Sequence, residues 1–165
     1  MEESTLSIII SVIAILISLF ALFGSKEKPE SKQELDFSTK PLKLQAFERL
    51  VILCERISLP NIISRTAQPG MTAQEMQYML IENIKQEFEY NASQQIYVSQ
   101  AAWEAVRNLR DQSLLIINSI SRTLPPDAKA VDLNKGLLEA IINQDNAALH
   151  TITLTTLNEE AKKVM

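Results

Sequence analysis

Residues Leu6 to Phe23 form an apolar run that contains no charge, no proline and no glycine. As a helix rising about 1.5 Å per residue, it would be roughly 27 Å long, close to the hydrocarbon thickness of a bilayer. No other feature constrains the chain as much, because a helix without a polar face has no side to turn toward water. A cleaved secretory signal would carry a basic start, a shorter apolar stretch and small residues at the cut. This chain starts Met1-Glu2-Glu3 and places Leu22 and Phe23 in the only cleavage window. The run therefore predicts an uncleaved transmembrane anchor over residues 1–24, in contact with lipid through residues 6–23.

Lysine and arginine next to a membrane helix tend to stay on the cytoplasmic side. None precedes the run, and Lys26, Lys28 and Lys32 follow it, which predicts an outside N-terminus and a cytoplasmic C-terminal domain. The lone Cys54 cannot form an intramolecular disulfide and fits a reducing compartment. Within the run, Ser7, Ser11, Ala14, Ser18 and Ala21 recur at four- and three-residue steps along one seam. Helices in lipid associate where small side chains let their backbones approach. The seam predicts a homo-oligomer or pairing with another membrane protein.

Residues 25–40 carry four lysines, four acids and Pro29, with only Leu35 and Phe37 as sizeable apolar side chains. Too little apolar surface is available to offset the entropy of ordering, so this is a charged, flexible linker. From Pro41 the apolar residues recur at helical spacing. Leu44, Phe47, Leu50, Cys54 and Ile57 mark a first helix, and a short helical turn follows Pro60 through Ile62 and Ile63. After the Pro69-Gly70 turn, Thr72 and Glu75 form a capping box for a second long helix lined by Met76, Leu80, Ile84 and Phe88. Residues 91–99 are a break. Ser99 caps a third long helix carrying Trp103, Val106, Leu109 and Ile117, and Pro125-Pro126 ends it.

Two shorter helices complete the chain. One is capped by Asp132 and carries Leu133, Leu137, Ile141 and Ile142, and the other is capped by Asp145 and carries Leu149, Ile152 and Leu157. Four threonines between residues 151 and 156 weaken the last helix and leave a strand over 149–157 as the local alternative. The fold class is all-α: an N-terminal transmembrane helix, a polar linker, and a bundle of about five helices over residues 41–165.

Catalytic chemistry needs convergent groups, and few are offered. His150 is the only histidine and has no Glu-x-x-His partner, so it reads as an ordinary packed or surface residue. Cys54 lies on the apolar stripe of the first helix and behaves there as a small hydrophobe. Glu75, Glu82 and Glu89 recur every seven residues among glutamines and Lys85, which is the pattern of a solvated face. No metal site, cofactor site or phosphate-cradling loop is expected. From Pro41 onward twelve basic residues face fourteen acidic ones, scattered along the chain, which disfavours nucleic acid. Tyr90, Tyr97 and Trp103, with Arg107 one turn further on, concentrate the aromatic material around an irregular polar stretch. They form the candidate partner or pocket surface.

The segments Leu44-Gln45-Ala46-Phe47-Glu48-Arg49-Leu50, Glu55-Arg56-Ile57, Gln68-Pro69-Gly70-Met71, Gln86 to Asn91, and Ser93 to Ser99 with Trp103 resemble a family of uncharacterised single-pass membrane proteins from Bacteroidota. The resemblance implies an envelope-associated bacterial protein with an anchor and a helical domain, and it carries over no activity. The combined expectation is a non-enzymatic scaffold or interaction protein of the bacterial inner membrane. The alternative is a small-ligand-binding or catalytic bundle with its pocket near Tyr90, Tyr97, Trp103 and Arg107.

Overall fold

The computed structural model describes residues 39–143 and 146–165. The expected anchor, the seam from Ser7 to Ala21, nearly all of the linker, and the expected cap Asp145 lie outside the described residues. Among the described residues there are six helices and no strand: α1 (Lys40–Ile57), α2 (Leu59–Thr66), α3 (Ala73–Asn91), α4 (Gln100–Thr123), α5 (Ala130–Asn143) and α6 (Asn146–Val164). A 3-10 turn, Ala92–Ile96, fills the break before Ser99. None of these helices is long and apolar enough to cross a membrane.

Local chemistry sets the helix starts. Thr72 Oγ1 accepts from the Glu75 backbone N–H at 3.2 Å, and Glu75 Oε2 accepts from the Thr72 N–H at 2.9 Å, so two otherwise unpaired donors are satisfied reciprocally. Ser99 Oγ accepts from the Ala102 N–H at 3.0 Å and opens α4. The start of α5 corrects the expectation for Asp132. The helix begins at Ala130, and Asp132 sits inside its first turn, reaching back to accept from the Lys129 N–H at 2.9 Å. The short turn expected at Ile62 and Ile63 is an eight-residue helix, α2, in which Leu59, Ile62, Ile63 and Thr66 are all buried. Pro60 stands in its first turn, where a missing N–H costs nothing. The last segment is helical, not a strand, and within it the Thr153 and Thr156 hydroxyls are satisfied by donating back to the carbonyls of Leu149 and Ile152 at 2.9 Å each.

Side-chain pairs fix how the helices run. Arg49 meets Asn91 and Arg56 meets Glu87, so α1 and α3 are antiparallel. Gln77 bonds Asn118 while Phe88 packs on Trp103, so α3 and α4 are antiparallel. Ser99 bonds Glu160 and the Ala105 carbonyl faces Thr153, so α4 and α6 are antiparallel as well. Helix α6 packs on α1 and closes the ring. Helix α2 packs on α3 beyond the end of α1, and α5 packs on α3 and α4 and touches α2 and α6. The bundle therefore has four columns, two of which, α1–α2 and α5–α6, are each built from two helices.

The core runs through all columns: Leu50, Leu53, Ile57, Met76, Leu80, Ile84, Val106, Ile117, Leu133, Leu137 and Leu157 are fully buried. Truncating any of these leucines to alanine would cost about 2–5 kcal/mol. Ile142 and Ile152, placed on inward stripes by the sequence reading, are instead exposed. On α6 the inward row is Leu149, Thr153 and Leu157 at steps of four, so the adjacent Ile152 faces out.

Candidate functional site

The α1–α2 column bends at Ser58, whose extended backbone (φ −58°, ψ 133°) separates the two helices. Glu55 Oε1 lies 3.8 Å from His150 Nε2, which puts the start of α6 at the height of the end of α1. Helix α4 runs past both ends without interruption. Where the flanking columns break, its Leu109–Ile116 face is left partly uncovered, and a half-open cavity of about 350 Å³ lies against it. That volume falls at the lower end of the range for small-molecule pockets.

Three sides build the walls. Ser58, Leu59 and Asn61 come from the α1–α2 junction; Leu109, Gln112, Ser113 and Ile116 come from α4; and Ile141, Leu149 and His150 come from the end of α5 and the start of α6. The apolar side chains make most of the surface, and the polar ones are mostly committed. Ser58 Oγ–H donates to the Glu55 carbonyl at 2.9 Å, and Ser113 Oγ–H donates to the Leu109 carbonyl at 2.8 Å. The Asn61 amide nitrogen donates to the Glu55 carbonyl at 2.9 Å and to Glu55 Oε2 at 3.4 Å. His150 Nε2 is shielded from solvent and has no hydrogen-bond partner among the described residues. Such a nitrogen costs free energy unless something meets it.

The side chains of the candidate partner or pocket surface lie away from this cavity. Trp103 packs on Phe88 with ring centroids 5.1 Å apart, and the Arg110 guanidinium covers the Phe88 ring at 4.0 Å. Tyr90 stands out in solvent with the Arg49 guanidinium 5.1 Å from its ring centre. Tyr97 is half-buried beyond the 3-10 turn, and Arg107 is exposed one turn along α4 from Trp103. None of the four lines the cavity described here.

Cys54 is fully buried on α1, and its thiol is pushed up to about 12 by burial first and by the neighbouring Glu55 second. Among the described residues, no cluster of three or more histidine, cysteine or acidic side chains could hold a metal ion.

In the sequence His150 reads as an ordinary packed or surface residue, because a lone histidine carries no signal by itself. Its position becomes informative only when two breaks, far apart in the chain, are seen to fall at one height. The nearest hint was the Ser58-Leu59-Pro60-Asn61 interruption of an otherwise continuous apolar stripe.

A family model described as a family of unknown function (DUF7935) matches residues 3–164. The chain belongs to that family. No curated protein and no solved structure matches it.

Proposed function

We propose that the chain is a non-enzymatic scaffold or interaction protein, held in a bacterial inner membrane by residues 6–23, whose cytoplasmic bundle keeps partners or a second copy at the bilayer. The observation that supports this reading is where the polar side chains of the bundle go. Arg56 and Arg65 both approach Glu87, Gln77 joins Asn118 and Ser121, Ser99 joins Glu160, and Arg49 joins Asn91. These groups are spent on fixing helices to one another. A firmly registered polar body on a charged spacer suits holding more than turnover.

The test uses the full chain with Ser11→Cys in the seam and, separately, Ile9→Cys off it. The expected result is that the protein sediments with membranes after alkaline carbonate washing and that the Ser11→Cys variant, but not Ile9→Cys, oxidises to a dimer or crosslinks to a co-purifying membrane protein. A full-length chain free in the soluble fraction, or one trimmed at its front, overturns the reading. A second reading, small-molecule binding, is favoured by the cavity beside α4, away from Tyr90, Tyr97, Trp103 and Arg107.

A further inference from the structure

We propose that the cavity between the Ser58 bend and the start of α6 binds a small molecule with an apolar body and a hydrogen-bond-donating, positively charged head, of the arylalkylamine kind. The proposal goes beyond the scaffold reading and does not depend on it.

The first argument is an inventory of what the lining groups have left. A serine hydroxyl has one hydrogen and two lone pairs, and a primary amide has two hydrogens and an acceptor oxygen. Ser58 and Ser113 each spend their hydrogen on a backbone carbonyl, and Asn61 turns its amide nitrogen toward Glu55. All three are left with oxygen lone pairs. A head group that brings its own hydrogens satisfies them, whereas at these three oxygens a carboxylate or phosphate meets acceptor against acceptor; the lining amide with hydrogens to give, Gln112, is exposed and already served by water.

The second argument is charge. Two features would otherwise attract an anion: the N-terminus of α2, which carries partial positive charge, and His150. Glu55 stands beside both. Its Oε2 faces the Asn61 amide at the start of α2, and its Oε1 stands 3.8 Å from His150 Nε2. With one full negative charge already at this corner, a cation is the complementary ligand. Glu55 stands just behind two of the lining residues, Asn61 and His150, so an ammonium in the cavity is attracted to its charge while giving its hydrogens to the acceptor oxygens.

The third argument is shape. Leu59, Leu109, Ile116, Ile141 and Leu149 supply apolar wall, and about 350 Å³ accommodates a ring with a short chain.

The experiment uses the full chain in phosphatidylcholine nanodiscs with isotope-labelled isoleucine methyls. It is titrated with 2-phenylethylamine, 2-phenylethanol and phenylacetate, which share a body and differ in the head, and empty nanodiscs correct for partition into lipid. The expected result is saturable shifts at Ile116 and Ile141, with the amine binding about tenfold or more tighter than phenylacetate and the alcohol between them. Glu55→Gln, at an exposed position that leaves the core intact, weakens the amine about threefold and leaves the alcohol unchanged. Ser113→Ala weakens amine and alcohol together. Equal or tighter binding of phenylacetate overturns the charge assignment. Absence of saturable shifts for all three, or shifts spread over isoleucines remote from the cavity, overturns the site itself.

Discussion

Gly136 on α5 faces Ile120 on α4 so closely that a Cβ at position 136 would come within 2.8 Å of the Ile120 Cγ2 methyl. That methyl is attached at the branch of the side chain, so it cannot swing aside freely. Gly136→Ala gains about 1 kcal/mol of helix propensity but forces an overpacked contact costing about 1–3 kcal/mol, for a net loss of about 1 kcal/mol. Urea unfolding of the full chain checks this. A shift of the midpoint upward contradicts it. Ile120→Ala, which removes the obstructing methyl, should make the alanine at 136 stabilising, so that the two changes are strongly non-additive.

The buried Cys54 thiol gives a pH signature. Its folded-state value, raised from 9.0 to about 12, means that the native state holds its proton where the unfolded chain has already released it. The stability this contributes is fully present below about 9 and is lost as pH rises toward 12. The alkaline decline in thermal midpoint should be shallower in Cys54→Ala than in the parent. Maleimide at neutral pH should label the thiol only after denaturant is added, and prompt labelling of the native chain would contradict its burial.

The capping box at the start of α3 acts at the other end of the pH scale. Hydrogen bonds from the Thr72 backbone N–H, and then from its hydroxyl, hold the Glu75 carboxyl below its usual range. A depressed carboxylate contributes stability that is present above the unfolded value and disappears as pH falls through the folded one. Glu75→Gln should therefore lose stability at neutral pH and show a flatter acid limb. Thr72→Ala should cost about 1 kcal/mol. Unfolding midpoints measured from about pH 7 down to about pH 3 test both.

Between α3 and α4, Gln77 Nε2 donates to Asn118 Oδ1 at 2.9 Å, and Gln77 Oε1 accepts from the Ser121 hydroxyl at 2.6 Å. Gln77→Leu should destabilise the chain by about 1–3 kcal/mol, because two part-buried partners lose their bonds together. Gln77→Glu keeps the bond from Ser121 and loses the one to Asn118, so it should fall between. Equal stability for leucine and glutamine would show that water replaces both bonds.

Much of the bundle was legible in residue order because local chemistry decided it. Thr72 with Glu75, Ser99, and Pro125-Pro126 set helix starts and stops wherever the chain goes afterwards, and the rows through Leu50, Met76, Val106 and Leu137 mark faces that any packing must bury. The remainder depended on tertiary neighbours. Helix α2 exists because α3 covers its apolar side, a contact invisible in eight residues read alone. Ile142 and Ile152 look like core by composition and are turned outward by a phase only the fold fixes. His150 and Asn61 meet across a gap of roughly ninety residues through Glu55, which no pattern in sequence encodes.

Helices α3 and α4 are the two uninterrupted rods of the bundle, and both pass the level where α1 gives way to α2 at Ser58. Bending of the domain would concentrate there, as at a knee held by two struts. An occupant lodged in that gap would act as a wedge, stiffening the knee and coupling the posture of the whole body to the presence of a molecule of about ten heavy atoms.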